Sequence, residues 1–395
     1  RRNLADDAVA CVKSIAAQLC GSVPGLRDAF PDAAPEQDSQ PKKQLTHLFT
    51  HALVTPATAA ASATNQTPGI VVIDGIDNIN PDQVDAAAAA VKQAGKLHLT
   101  GEGSSRLFPA KHAMKVARQR GFGAALHTEA GCQSQSYDLA DWAVMGVSNS
   151  GRTAEVIQLF KQIKDAGHDK LYSLAAFADS KLASFANQEY VLGCGEEHAV
   201  AATKSVVEQA LFYQAMLEET EGKKSLAGNL AGLADAMDAA LKVDIPAEVT
   251  QAIADSPIIY WAGPNDGVAE ELTLKTNEIT RKPSDYMEGT YAAHGVEEVM
   301  NAGDVVLWID PIEDQEAKFE EVLVKGVGVK IVAISTRETR FPTIKVPSLG
   351  AGCNDLSGYV YMAAGWNVLV EVGTTLGINL DKPERARKVG NEFVG

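Results

Sequence analysis

Ser148-Asn149-Ser150-Gly151-Arg152-Thr153 sets three hydroxyls and a glycine directly after the apolar run Ala143 to Val147 and at the head of an amphipathic segment. Where a buried strand turns into a helix, such residues surround one spot with hydroxyl donors and unpaired backbone N–H groups, the chemistry that holds a phosphate. A plain helix cap uses the same residue types, so the stretch by itself leaves both readings open. A second candidate is Leu272-Thr273-Leu274-Lys275-Thr276-Asn277-Glu278-Ile279, which reads as a helix with Lys275 and Glu278 three residues apart on one face. On spacing alone a solvated ion pair is the simpler account of that pair.

Both candidates depend on the elements that carry them. From Leu97 onward short apolar runs alternate with helical stretches, the pattern of an α/β domain with a parallel sheet. The runs are Leu97 to Leu99, Ala143 to Val147, Leu171 to Phe177 and Tyr190 to Leu192. Between the second and third, Val156, Ile157, Phe160 and Ile163 fall at helical spacing, and Gly167 marks the end of that helix. Ile258 to Ala262, Asp304 to Ile309, Val329 to Ile334 and Ile344 to Val346 then repeat the order. This reads as an internal duplication, two similar α/β halves side by side with Met237 to Ser256 connecting them.

Gly101-Glu102-Gly103-Ser104-Ser105 after the first run is echoed by Gly263-Pro264-Asn265-Asp266-Gly267 after its counterpart. A dinucleotide fingerprint is a rival reading of the first turn, but Arg106 stands where its third glycine belongs. Upstream, Arg1 to about Phe30 reads as a helix with Ala8, Val12, Ile15 and Leu19 on one face, and Pro31 to Pro41 and Val54 to Gly69 read as surface connections.

The 395 residues suffice for two or three domains, and 46% hydrophobic with 22% charged residues is a soluble globular composition. A formal net charge of -16 argues against nucleic acid or an anionic membrane as partner, because both select clustered Lys and Arg. Cys11, Cys20, Cys132, Cys194 and Cys353 are scattered and odd in number, which fits reduced thiols. Without a membrane-length apolar stretch or a signal-peptide apolar core, a cytoplasmic location is expected. No clustered His or carboxylate ligands stand at metal spacing, so neither a metal nor another cofactor is expected.

Ser148-Asn149-Ser150-Gly151-Arg152-Thr153 resembles the SxSGxT loop of the sugar isomerase (SIS) domain family, and the match continues through Glu197-His198-Ala199-Val200-Ala201-Ala202-Thr203-Lys204. From about Asn80 to the C-terminus the chain is similar to the double-SIS isomerase portion of glutamine–fructose-6-phosphate aminotransferases, two SIS domains followed by a catalytic tail. The fold this implies is two tandem flavodoxin-like parallel sheets flanked by helices, at 81–240 and 241–380, behind an N-terminal helical extension over 1–80 and ahead of a tail at 381–395. The resemblance implies that Ser105, Ser148, Asn149, Ser150 and Thr153 hold the phosphate of a sugar 6-phosphate, with Val200 and Thr203 also at the substrate. Asn149 replaces the family's Gln. Arg152 replaces its usual Glu, and either adds charge to the site or faces solvent.

By the same resemblance Glu278 is the carboxylate that shuttles a proton between C1 and C2, and Lys275 is the lysine beside it. His294 opens the sugar ring from the neighbouring subunit, and Lys388 folds back over the substrate. Ala293 and Val296 depart from the family's basic residue and proline around that histidine. Together these imply an aldose–ketose isomerase of hexose or amino-hexose 6-phosphates, acting as a homodimer with shared sites. Amino-sugar phosphate deamination and fructosamine-6-phosphate cleavage reuse the same Glu/His pair, and a non-catalytic phosphosugar sensor would keep the Ser148 to Thr153 loop alone. Nothing before Asn80 has the length or kind of a glutaminase domain, so glutamine is not expected to donate nitrogen.

Overall fold

The computed structural model describes residues 79–394 except Glu196, His198, Lys224, Ala351, Asp381 and Lys382. The helix expected before Phe30 and the two connections expected before Gly69 lie outside the described residues. The first helix, α1 (Pro81–Ala94), is punctuated at both ends: Asn80 Oδ1 accepts the Asp82 N–H at 3.0 Å, Pro81 opens the first turn, and Gly95 closes it at φ 68°.

Two five-stranded, all-parallel sheets follow. The first contains β1 (Lys96–Gly101), β2 (Ala125–Ala130), β3 (Ala143–Val147), β4 (Leu171–Ala175) and β5 (Gln188–Val191) in the order β2-β1-β3-β4-β5. The second contains β6 (Ile259–Gly263), β7 (Ser284–Glu288), β8 (Val305–Ile309), β9 (Lys330–Ser335) and β10 (Thr343–Lys345) in the order β7-β6-β8-β9-β10. Both sheets therefore share one topology, 2-1-3-4-5. The apolar runs coincide with eight of these strands, and the central β3 and β8 are buried along their whole length because helices cover both faces. Two strands lay outside the apolar runs: β2 and β7 are edge strands, mostly half-buried or exposed, and carry no such run.

The helices used below are α2 (Leu107–Arg120), α3 (Ala154–Asp165), α4 (Lys204–Thr220), α5 (Ser225–Leu241), α6 (Ala247–Asp255), α7 (Val268–Lys275) and α8 (Ser357–Thr375). The connecting segment Met237 to Ser256 consists of the last turn of α5 followed by α6. Leu233, Ala236, Met237 and Ala240 of α5 are buried at helical spacing, and α5 packs on α8 of the second half.

The halves meet along α2 and α7. Gly267, at φ 89°, begins α7 so close to α2 that a Cβ there would strike the backbone of Leu107 and Phe108. Lys115 Nζ lies 2.7 Å from Asp266 Oδ2, and Lys111 pairs with Glu270 across the same seam. Deeper in, Asp355 receives Arg120 and, at 2.9 Å, the Gln214 amide. Each of these charged groups thus has a counter-charge, which offsets the desolvation cost of burying it.

Candidate active site

In a 2-1-3-4-5 sheet the strand order reverses between β1 and β3, and ligands sit beyond the carboxyl ends of the strands at such a point. The turn Glu102–Arg106 follows β1 and the loop Ser148–Thr153 follows β3, so the two flank that point. Ser148 Oγ lies 2.8 Å from Thr153 Oγ1 and 3.4 Å from Ser150 Oγ, which brings the three hydroxyls together as a cup. Ser148 is buried, its N–H bonded to Leu174 O, and Gly151 turns the loop at φ 64° against Ser180. Thr153 precedes α3 without a side-chain capping bond, because its hydroxyl faces Ser148. The plain-cap reading of Thr153 therefore does not apply. Asn149 keeps its carbonyl on Ala176 N, with Oδ1 3.9 Å from Cys194 Sγ.

Beside the cup, the loop that follows β5 is organised by one carboxylate. Glu197 Oε1 accepts the Thr203 N–H at 2.8 Å, the Thr203 hydroxyl at 3.2 Å and the Lys204 N–H at 3.1 Å, while Oε2 accepts the Ser205 hydroxyl at 2.6 Å. Lys388 Nζ reaches the same loop, 2.6 Å from Ala199 O and 3.5 Å from Glu197 Oε2. Burial opposes the Glu197 charge, but Lys388, Ser205, Thr203 and Lys204 outweigh it and hold the carboxyl below the usual range. Thr203, Val200 and Lys388 are thereby brought into one neighbourhood.

The carboxylate candidate sits on a helix that changes character. After α7 the chain continues as a π-helical turn, Thr276–Thr280, and ends at Arg281 in the left-handed region at φ 57°. Such turns are rare and concentrate at functional sites. Thr276 Oγ1 holds it from inside, donating to Leu272 O at 2.7 Å and accepting Trp261 Nε1 at 2.7 Å.

Lys275 is fully buried, with Nζ 2.6 Å from Glu278 Oε2, 2.6 Å from Ser104 Oγ and 3.1 Å from Glu271 Oε1. A solvated pair is excluded for Lys275, while Glu278 keeps 20% of its side chain exposed. Burial alone would drive the ammonium neutral, yet Glu271 and Glu278 outweigh it and hold its pKa above the usual lysine range. Burial pushes the Glu271 carboxyl up, with Lys275 pulling the other way. Ser104 belongs to the first half's turn, next to Ser105, so this bond joins the carboxylate of one half to the turn beside the hydroxyl cup of the other.

His294 stands apart. It is exposed after the short helical turn Tyr291–Ala293, with Nε2 3.3 Å from Lys318 Nζ, and among the described residues no hydrogen bond joins it to Glu278, Lys275 or Lys388. Three participants were not singled out from sequence: Glu271, Glu197 and Ser104. Glu271 was open to detection, since it precedes Lys275 by four residues on the same helical face. Among the described residues no group of three or more His, Cys, Asp or Glu could hold a metal, and no helix is long and apolar enough to cross a membrane.

Residues 91–219, which contain β1 to β5 and the hydroxyl cup, match the SIS domain family. This segment is a SIS domain. Its chain is 21% identical over 336 residues to a glutamine–fructose-6-phosphate aminotransferase of Sulfolobus acidocaldarius, with 80% of the chain and 53% of the relative covered. The chain thus spans about half the length of that curated relative. Among solved structures, the C-terminal domain of glucosamine-fructose-6-phosphate aminotransferase from Francisella tularensis superposes with a TM-score of 0.63 at 15% identity, over 76% of this chain and 95% of that one. A tagatose-6-phosphate ketose/aldose isomerase from Escherichia coli gives 0.64 at 13% identity, over 87% and 95%. Glucosamine-6-phosphate deaminase from Thermotoga maritima gives 0.58 at 16%, over 78% and 98%. The two five-stranded parallel sheets flanked by helices thus have the fold of tandem SIS domains.

Proposed function

We propose that this protein is an aldose–ketose isomerase acting on a hexose or amino-hexose 6-phosphate through an enediol or enolamine. The observation that carries the reading is Glu278, a partly exposed carboxylate clamped by a fully buried lysine whose other bond reaches Ser104, beside the hydroxyl cup. The cup of Ser148, Ser150 and Thr153, with Asn149 and Ser105 beside it, receives the phosphate and supplies remote binding energy that sets the carbon chain against Glu278. Glu278 takes the proton from C1 of the open-chain ketose and returns it to C2, while the hydroxyl proton passes from O1 to O2.

Lys275 is not free to offset charge on the substrate oxygens. Its three N–H donors already face Glu271, Glu278 and Ser104, so in this reading its role is to hold the Glu278 side chain in place. Lys388, with two directions taken by Ala199 O and Glu197, keeps a donor for developing negative charge on the sugar oxygens. The test is conversion of fructose 6-phosphate to glucose 6-phosphate, with ammonia release from glucosamine 6-phosphate assayed in parallel. Aldose without ammonia is expected, and ammonia released from an amino-hexose 6-phosphate would move the assignment to deamination.

His294 belongs to this reading through a two-fold dimer, since an exposed histidine is available to a neighbouring copy's site. Mixing inactive Glu278→Gln and His294→Ala proteins is then expected to restore up to about a quarter of wild-type activity through hybrid dimers with one intact site. No recovery after verified subunit exchange would place both residues in the same subunit's site.

A further inference from the structure

We propose that Arg152, although it stands in the phosphate loop, is a positioning residue for Lys388, holding the C-terminal segment rather than the ligand. Sequence left this arginine between adding charge to the site and facing solvent. The structure gives it a partner: Arg152 Nη1 lies 2.9 Å from Glu392 Oε1. Around that pair the chain end forms an antiparallel bridge with the loop, Thr153 opposite Glu392. The Phe393 N–H donates to Arg152 O at 3.0 Å, and Asn391 O accepts the Ala154 N–H at 3.1 Å. The first N–H of α3, a donor that an anion would otherwise attract, is thus taken by the chain's own carbonyl.

Two further contacts seat the same segment. Asn391 Nδ2 donates to Glu155 Oε1 at 2.9 Å, and the Phe393 ring lies 6.4 Å from Phe185, with Lys181 Nζ 5.5 Å from each ring. Lys388 precedes Glu392 by four residues. Four residues before Lys388, Glu384 accepts from Arg281 Nη1 at 2.7 Å, where Arg281 closes the π-turn that carries Glu278. Lys388 therefore lies midway between two Arg–Glu ties, one to each half. Exposed pairs alone stabilise little. Joined to a backbone bridge and an aromatic contact, the Arg152–Glu392 pair fixes where along the loop the segment lies, and with it the distance from Lys388 to the cup.

The test reads the segment directly. Trypsin cleaves after Arg385, Arg387 and Lys388, and fragments are resolved by mass in the intact protein. Arg152→Glu is expected to speed this cleavage about tenfold, because proteolysis follows the population of the open segment. Arg152→Glu/Glu392→Arg is expected to return it to within about twofold of wild type. In the isomerase assay Arg152→Glu lowers kcat by a comparable factor, leaves KM near wild type, and has no further effect in a Lys388→Ala background. That second arm rests on the proposed reaction, whereas the proteolysis arm does not, so a protein without isomerase activity can still show the rescue. Unchanged cleavage in Arg152→Glu, or a raised KM with weaker inorganic phosphate binding and no rescue, would overturn the proposal.

Discussion

Glu278→Gln is expected to lower sugar-phosphate turnover by about 10²–10⁴-fold, the range by which a positioned acid–base group accelerates proton transfer. The amide keeps the shape of the carboxylate but not its basicity. Lys275 retains Glu271 and Ser104, and the hydroxyl cup belongs to the other half of the chain, so the site itself persists. The stabilisation by glucose 6-phosphate or glucosamine 6-phosphate in a thermal-shift assay is therefore expected to match that of wild type. Loss of binding and turnover together would show that Glu278 shapes the pocket instead of moving a proton. Turnover near wild type would remove it from the chemistry.

Lys275→Met is expected to cost about 3–5 kcal/mol of stability, because it strips the counter-charge from Glu271, a fully buried carboxylate. For a chain of this size that corresponds to a fall in Tm of about 4–6 °C. The loss falls mainly on Glu271, since Glu278 is partly exposed and can turn to solvent. Lys275→Met/Glu271→Gln removes the stranded charge and is expected to recover more than half of the lost Tm while remaining as inactive as Lys275→Met. Calorimetry on the two variants separates the outcomes. A single variant as stable as wild type would mean that the buried network does not depend on its ammonium.

The eight strands legible in the sequence coincide with short apolar-rich runs, fullest in the central β3 and β8, which are apolar on both faces. β2 and β7 escaped because they carry no such run; edge position alone does not hide a strand, since β5 and β10 are also paired on one side only. Ala-Leu-His-Thr-Glu-Ala and Ser-Asp-Tyr-Met-Glu show no unbroken apolar run from which to read a strand.

At the site, the hydroxyl cup was legible from residue types alone, as was the shared face of Lys275 and Glu278. The depth of Lys275 and the reach of Ser104 depend on how the halves meet, which no local pattern encodes. Lys388 beside Val200 and Thr203 depends on a chain return of nearly two hundred residues and came only through family resemblance. The link from Arg152 to Glu392 spans a similar separation, and local sequence offers no sign of it.

The most direct measurement is the conversion of fructose 6-phosphate run in D2O with wild-type protein and followed by NMR. Deuterium is expected at C2 of the aldose and at C1 of recovered ketose, at a rate comparable to turnover and at no other carbon. A sugar phosphate that binds at the cup, shown by thermal shift, yet acquires no deuterium would contradict the isomerase account and leave a phosphosugar-binding protein in its place.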